Sequence, residues 1–286
     1  MLAMLERMKA VSINLEYLRR SYFYFDRPVD YKLQNDKIIE IYPVQLKDSE
    51  FFLSSVDLLK IDKNATPSVE IIQMSYLQFI CDVLLAQSDD NRQRFLNILI
   101  LCLHQENLKI FRNEKGRPFL ADDMFDIVIT HNDFEDIKRI ILYQNFVNFD
   151  DSYVNPDLKQ AMLEMDELRS KGIEVPSLER RIAIISSHTG ITKKEQLDMT
   201  YRSHELLFDE VCGEIDFVTI RPIALYCGKG NDFGHWIYKK KTNKYDNYIT
   251  SVENYKRKMG DNSIRQTSTS DNIGLNFEQQ FQNFNK

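Results

Sequence analysis

The chain has only four cysteines in 286 residues, and Cys81, Cys102, Cys212 and Cys227 stand far apart. That scatter excludes a disulfide framework and does not fit the close spacing of zinc ligands. All four sit in or beside apolar runs, which suits reduced, buried thiols. Nine glycines and seven prolines are too few for a fibrous or low-complexity chain. The densest glycine set, Gly228, Gly230 and Gly234 in GKGNDFG, misses the dinucleotide fingerprint by one residue and opens no helix after a buried strand. Long apolar runs are missing too. The most apolar stretch, residues 95–103, is too short to cross a bilayer and contains Asn97. Glu6, Arg7 and Lys9 interrupt the opening before a secretory signal can form. These features together read as cytoplasmic.

Catalytic patterns are equally scarce. His104, His131, His188, His204 and His235 share no helical face or ligand spacing. The acid pairs Asp89/Asp90, Asp122/Asp123 and Asp150/Asp151 are adjacent residues whose side chains diverge in extended chain, so they read as caps or solvated positions. Ser186 and Ser187 precede His188 without the sharp strand-to-helix elbow that a nucleophile needs. The expectation is a non-enzymatic protein with no catalytic residue, cofactor or metal.

What the chain does have is core: 43% hydrophobic residues, with 18 Phe and 14 Tyr. Its charge is uneven. Residues 1–238 hold 28 Lys and Arg against 38 Asp and Glu, whereas residues 239–258 hold 7 against 2. An acidic body thus carries a short basic strap. Periodicity and capping signals predict a mainly α protein with a minor antiparallel β component, a helical core carrying small β-hairpin units. The chain divides into a mixed segment 1–62, a mainly helical body 63–259 including a hairpin at 107–130, and a polar, flexible tail 260–286.

In the first stretch, residues 22–26 and 37–44 read as strands, and residues 49–61 as a helix. Thr66-Pro67 reads as a helix start, and Ser75 with Gln78 as a capping box. The helix over residues 90–104 is apolar nearly all round and is expected at the centre of the core. NEKG (residues 113–116) predicts a hairpin turn, residues 125–130 a third strand, and Asn132 the cap of the next helix. Further helices are expected from Asn155-Pro156 to Gly172 and from Pro176-Ser177 to Gly190. A short one begins at Thr192, and a longer one runs from Thr200 towards Phe217. Pro222 should kink or divide the segment leading to Gly228.

Three features suggest contact with a large partner. Residues 192–211 have a helix–turn–helix-like layout, but Glu205, Asp209 and Glu210 on the second helix would repel phosphates. The strap combines Lys239, Lys240 and Lys241 with Trp236 and Tyr238, aromatics that can stack on bases or dock on a protein surface. Phe277, Phe281 and Phe284 form one helical stripe in the polar tail, fit for a partner's groove or for folding back on this chain.

The runs IYPVQLKD (residues 41–48), IDKNATPSVEIIQMSYLQFI (61–80), NEKGRPFL (113–120), NDFEDIKRIILYQN (132–145) and GHWIYKKK (234–241) occur in this order. Across residues 41–241 the chain resembles proteins encoded beside the tail genes of tailed bacteriophages that infect low-GC Gram-positive bacteria. The resemblance implies a tail-assembly chaperone that holds a tape-measure-type protein, or a permanent virion component of the tail or baseplate. It also implies action in the host cytoplasm during assembly, or residence in the virion, and it brings no catalytic residues. The implied partner is another phage tail protein, with self-association a further option. Nucleic-acid binding through the strap 239–258 is the reading from another class, and no membrane partner is expected.

Overall fold

A computed structural model describes residues 13–152, 156–172, 174–228 and Ile237. The fold is mainly α with two small antiparallel sheets. Two compact units divide the chain, one of Met1–Pro156 with Ile173–Trp236 and the other of Asp157–Gly172 with Ile237–Lys286.

The first unit opens with α1 (Leu15–Ser21), whose N-terminus is capped by the Asn14 side chain. A 3₁₀ turn, Phe23–Phe25, stands where the sequence suggests a strand. Of its rings only Phe23 is buried, and Asp26 then adopts a left-handed conformation, so the strand begins after Pro28 instead. Strands β1 (Val29–Lys32) and β2 (Ile38–Ile41) pair antiparallel, with Val29 opposite Ile41 and Tyr31 opposite Ile39. The turn between them contains Asp36 at positive φ. Val29, Ile39 and Ile41 face the core, and Asp30, Lys32 and Glu40 face outward, the alternation of a half-buried sheet.

Helix α2 (Ser49–Lys60) buries Phe52, Val56 and Leu59. Thr66 closes a 3₁₀ turn and caps no helix; Ser68 caps the short α3 (Val69–Gln73). Ser75 caps α4 (Tyr76–Phe79), as its position suggests. A π-helical turn, Ile80–Leu84, joins α4 to α5 (Leu85–Gln87). Helix α6 (Asp89–Leu103) buries Phe95, Ile98, Leu99, Cys102 and Leu103 but leaves Leu96 and Ile100 exposed. It therefore flanks the core and is not wrapped on every side.

Strands β3 (Lys109–Arg112), β4 (Pro118–Ala121) and β5 (Val128–Ile129) form the second sheet in that order. The third strand is shorter than its alternation suggests, because residues 122–127 close a loop first. Helix α7 (His131–Asn145) starts two residues early: Thr130 is its cap, in a reciprocal box with Asp133. Asp133 already lies inside the first turn, so Asn132 has no capping role. Ile137, Ile140, Ile141 and Phe134 complete one contiguous core with both sheets, α2, α4 and α6.

Helix α8 (Pro156–Ser170) belongs to the second unit. It half-buries Leu158, Met162 and Met165, and Gly172 lies just beyond it at positive φ. In the first unit, α9 (Leu178–Thr189) is capped by Ser177 and ends at left-handed Gly190. Helix α10 (Lys193–Asp198) opens with the Thr192–Glu195 capping box. Thr200 caps α11 (Tyr201–Tyr226), which runs through Pro222 undivided. A proline removes one helical hydrogen bond and crowds the preceding turn, costing about 3 kcal/mol. Bonds in the turns on either side keep this long helix continuous.

Polar groups fasten α11 to the rest of the unit. Asp26 accepts hydrogen bonds from Thr200 Oγ1 and Ser203 Oγ, both at 2.7 Å, which places a carboxylate at the positive end of the helix. Arg202 Nη1 donates to the carbonyls of Tyr143 and Phe146 at 3.1 and 3.2 Å, closing the C-terminus of α7. Gln45 and Thr200 form an isolated bridge, flanked by Leu46 N to Met199 O and Tyr201 N to Val44 O, each 2.8 Å.

Candidate binding surface

The β3–β4 hairpin is fixed by its turn. Asn113 N donates to Arg117 O at 3.0 Å, and Asn113 Oδ1 accepts from the amides of Lys115 and Arg117. Gly116, at φ 73°, takes the left-handed position that such a turn requires. This register sets Phe111 opposite Phe119 on one face and Ile110 opposite Leu120 on the other. Leu120 and Ile129 turn to the core. Phe111 and Phe119 stay half-buried on the outer face, stacked with ring centroids 5.8 Å apart.

A third ring joins them from the loop. Asp122 N donates to Ile127 O at 3.3 Å, and Asp122 Oδ1 accepts from Ile127 N at 2.9 Å, pinching residues 122–127 shut. Inside that loop Phe125 sits at φ 54°. Left-handed backbone costs a residue with a side chain about 1–2 kcal/mol, and a bulky aromatic there is an outlier. The conformation places the Phe125 ring 4.9 Å from Phe111 and 6.4 Å from Phe119. Phe125 remains 51% exposed, and its neighbour Met124 is 85% exposed. Polar groups frame the patch: Lys109 pairs with Asp123 at 2.6 Å, and Arg112 pairs with Asp82 and donates to Gly116 O. The three rings thus form a compact, partly exposed aromatic cluster with charged groups at its edge.

The described residues also enclose a cleft of about 550 Å³, between Asp26, residues 42–48, the end of α6 and the α10–α11 joint. His104, in a left-handed conformation, stacks on Tyr42 there at 3.8 Å between centroids. The hydrogen bond to Glu40 raises the Tyr42 phenol above its ordinary range. Asp26 is committed to Thr200 and Ser203. These groups tie Tyr42 to the end of α6 and Asp26 to the start of α11.

The acid pairs are held in ion pairs and hydrogen bonds, and partly buried Asp151 is neither a helix cap nor a solvated position. Asp89 and Asp90 pair with Arg92 and Arg94 in the first turns of α6. Asp151 accepts from Tyr143 Oη and Arg139 Nε, both at 2.6 Å. Burial pushes the Asp151 carboxyl up, but these two partners outweigh it and hold the group below its usual range. Among the described residues no three His, Cys, Asp or Glu side chains gather where they could hold a metal. Of the cysteines, Cys102 is buried and Cys81 and Cys212 are half-buried; Cys227 is exposed, because α11 ends beside it at the surface. Among the described residues no helix is long and apolar enough to cross a membrane.

Phe277, Phe281, Phe284, Trp236, Tyr238, Lys239, Lys240 and Lys241, the partner-binding residues read from the sequence, lie outside the described residues. The aromatic patch was missed by that reading. A signal for it is present: alternation in KIFR and PFLA around the NEKG turn puts Phe111 and Phe119 on one face. Phe125 carries no such signal, because the pattern assigns it to a strand. Comparison of the chain with models of protein families, with curated proteins and with solved structures finds no match.

Proposed function

We propose that the protein is a non-enzymatic bacteriophage protein that acts in tail assembly by binding another tail protein, in the manner of a tape-measure chaperone. The reading takes the phage from the resemblance over residues 41–241 and the mode of action from the surface of the second sheet. The observation that carries it is Phe125, held at positive φ and half-exposed against Phe111 and Phe119. Backbone strain is retained where a function requires the position, and three clustered rings give a large, rigid apolar contact. Reversible cover of partner apolar surface needs only such a docking face and an acidic, soluble body.

The experiment is co-expression of the full chain with the tail proteins of its phage, capture, and identification of what is retained by mass spectrometry. The expected result is a tail protein held by the native chain and lost with Phe111→Ser combined with Phe125→Gly. Purified particles then separate the two roles. A chaperone is missing from them, whereas a permanent tail or baseplate component is present in stoichiometric amounts. Undiminished capture by the double variant rejects this docking face.

A further inference from the structure

The register of the β3–β4 hairpin decides where its backbone groups point. Asn113 N donates to Arg117 O, and the alternation of an antiparallel ladder then gives Phe111 and Lys109 the bonds to Phe119 and Ala121. The N–H and C=O groups of Ile110 and Arg112 therefore turn away from β4. Pro118, which has no N–H to give, stands opposite Arg112, as this alternation requires. On the other side of β4, Asp122 N donates to Ile127 O, which fits the same order. Strand β3 is an edge of its sheet. Among the described residues the four outward groups of Ile110 and Arg112 have no hydrogen-bond partner.

Edge strands are ordinarily guarded by charged side chains, a bulge or a covering element. On β3 both charges are engaged, Lys109 with Asp123 and Arg112 with Asp82 and Gly116 O. Ile110 is 42% exposed, although Leu120 opposite it on the core side is fully buried. We propose that this edge takes up an extended segment of the partner, which adds a fourth strand to the second sheet. The inference rests on the docking role proposed for the aromatic face and names the element that docks.

The edge itself selects that occupant. Its outward groups recur at every second residue, about 7 Å apart. Extended backbone meets that spacing with free donors and acceptors, whereas a helix has already closed its own. A strand laid along β3 sets alternate side chains over Ile110 on one face and beside Phe111 on the other. The segment is therefore apolar at alternate positions. Lys115 and Arg117 flank Glu114 at the turn, so an acidic residue suits the end of the segment that lies there. A second copy of the chain fits less well. Pairing β3 with itself about Phe111 sets each Ile110 against Arg112, and a four-residue edge falls short of the roughly 1,200 Å² of a stable interface. A reversible contact with a partner needs less.

Two measurements on the full chain test this. The first uses a synthetic peptide of alternating valine and glutamate as probe, with amide hydrogen exchange read by NMR. The peptide should slow exchange at Ile110 and Arg112 about tenfold and leave Phe111, already bonded to β4, unchanged. The same peptide N-methylated throughout should give no protection. Exchange at Ile110 and Arg112 that stays unchanged at millimolar peptide overturns the proposal. The second repeats the capture of tail proteins with Ile110→Pro, which removes one outward N–H at an edge position where proline is tolerated, and with Ile110→Val, which keeps it. Capture should fall about tenfold with proline, at unchanged circular dichroism, and persist with valine. Capture that survives Ile110→Pro but is lost with Phe111→Ser and Phe125→Gly keeps the docking role and overturns strand addition. A native chain that captures no tail protein rejects the phage reading, and the peptide measurement then decides the edge by itself. A species of twice the chain mass that disappears with Ile110→Pro gives the edge to a second copy and overturns the proposal.

Discussion

Both sheets contain an antiparallel hairpin of four-residue strands, the second with the short β5 added, and both give their inner face to the same core, through Val29, Ile39 and Ile41 in one and Leu120 and Ile129 in the other. Their outer faces differ. Asp30, Lys32 and Glu40 cover the first sheet together with the 65% exposed Ile38, whereas Phe111 and Phe119 cover the second and Phe125 is brought in at the cost of left-handed backbone. A short sheet on this core is therefore complete without any aromatic ring on its outer face. The proposed docking role gives the rings on the second sheet a task beyond their stacking on one another.

The contrast fails first if inner and outer residues weigh alike. Leu120→Ala and Ile41→Ala each remove a fully buried side chain and should cost about 2–5 kcal/mol in urea unfolding. Phe125→Gly relieves the backbone strain while losing ring contacts of about 0.5–1.5 kcal/mol, so its net effect should stay within about 1 kcal/mol. A cost for Phe125→Gly equal to that of Leu120→Ala would make the ring part of the core.

The anchors of the two sheets differ less. Asp133 closes the capping box of α7 and also accepts from Gln34 N at 3.2 Å and Tyr31 Oη at 3.4 Å, so it holds the first sheet. Asp133→Ala should cost about 2–3 kcal/mol. Hydrogen exchange should accelerate in β1–β2 before β3–β4. Equal acceleration in both sheets would show that one anchor serves the two.

Smallest is an alkaline effect. Burial, together with Asp136 and Asp133, raises the Tyr31 phenol far above its ordinary value. Its share of stability is present below the unfolded value, about pH 10, and is lost as pH rises towards the folded one. Buried Tyr76 behaves alike, with burial as the larger cause and Glu135 the next. Tyr31→Phe should thus shallow, without abolishing, the fall in thermal midpoint above pH 10. An unchanged slope would rule out Tyr31 as a source of that fall.

Local signals were legible where one residue decides the outcome. Ser75, Ser177, Thr192 and Thr200 are caps in both sequence and structure, Gly190 ends its helix, and the NEKG turn sets its hairpin. Signals that depend on competition were not. Asn132 and Thr130 both suit a cap, and Asp133 decides between them by closing the box with Thr130. Residues 22–26 read as strand by composition, yet Asp26 turns the chain to reach Thr200 and Ser203, far away in sequence. Pro222 reads as a kink or a division, and the helix continues through it without a division. The aromatic patch was half legible, since pairing Phe111 with Phe119 follows from register, while the place of Phe125 depends on a loop closed by Asp122.

The most direct test installs a photoreactive phenylalanine analogue at position 125, and separately at position 30 on the outer face of the first sheet, in the full chain expressed during phage growth. The proposed docking role for the second sheet requires a crosslink from position 125 to a phage tail protein, identified by mass spectrometry, and none from position 30. Equal crosslinking from both positions, or none from position 125 while tails assemble normally, would refute that role.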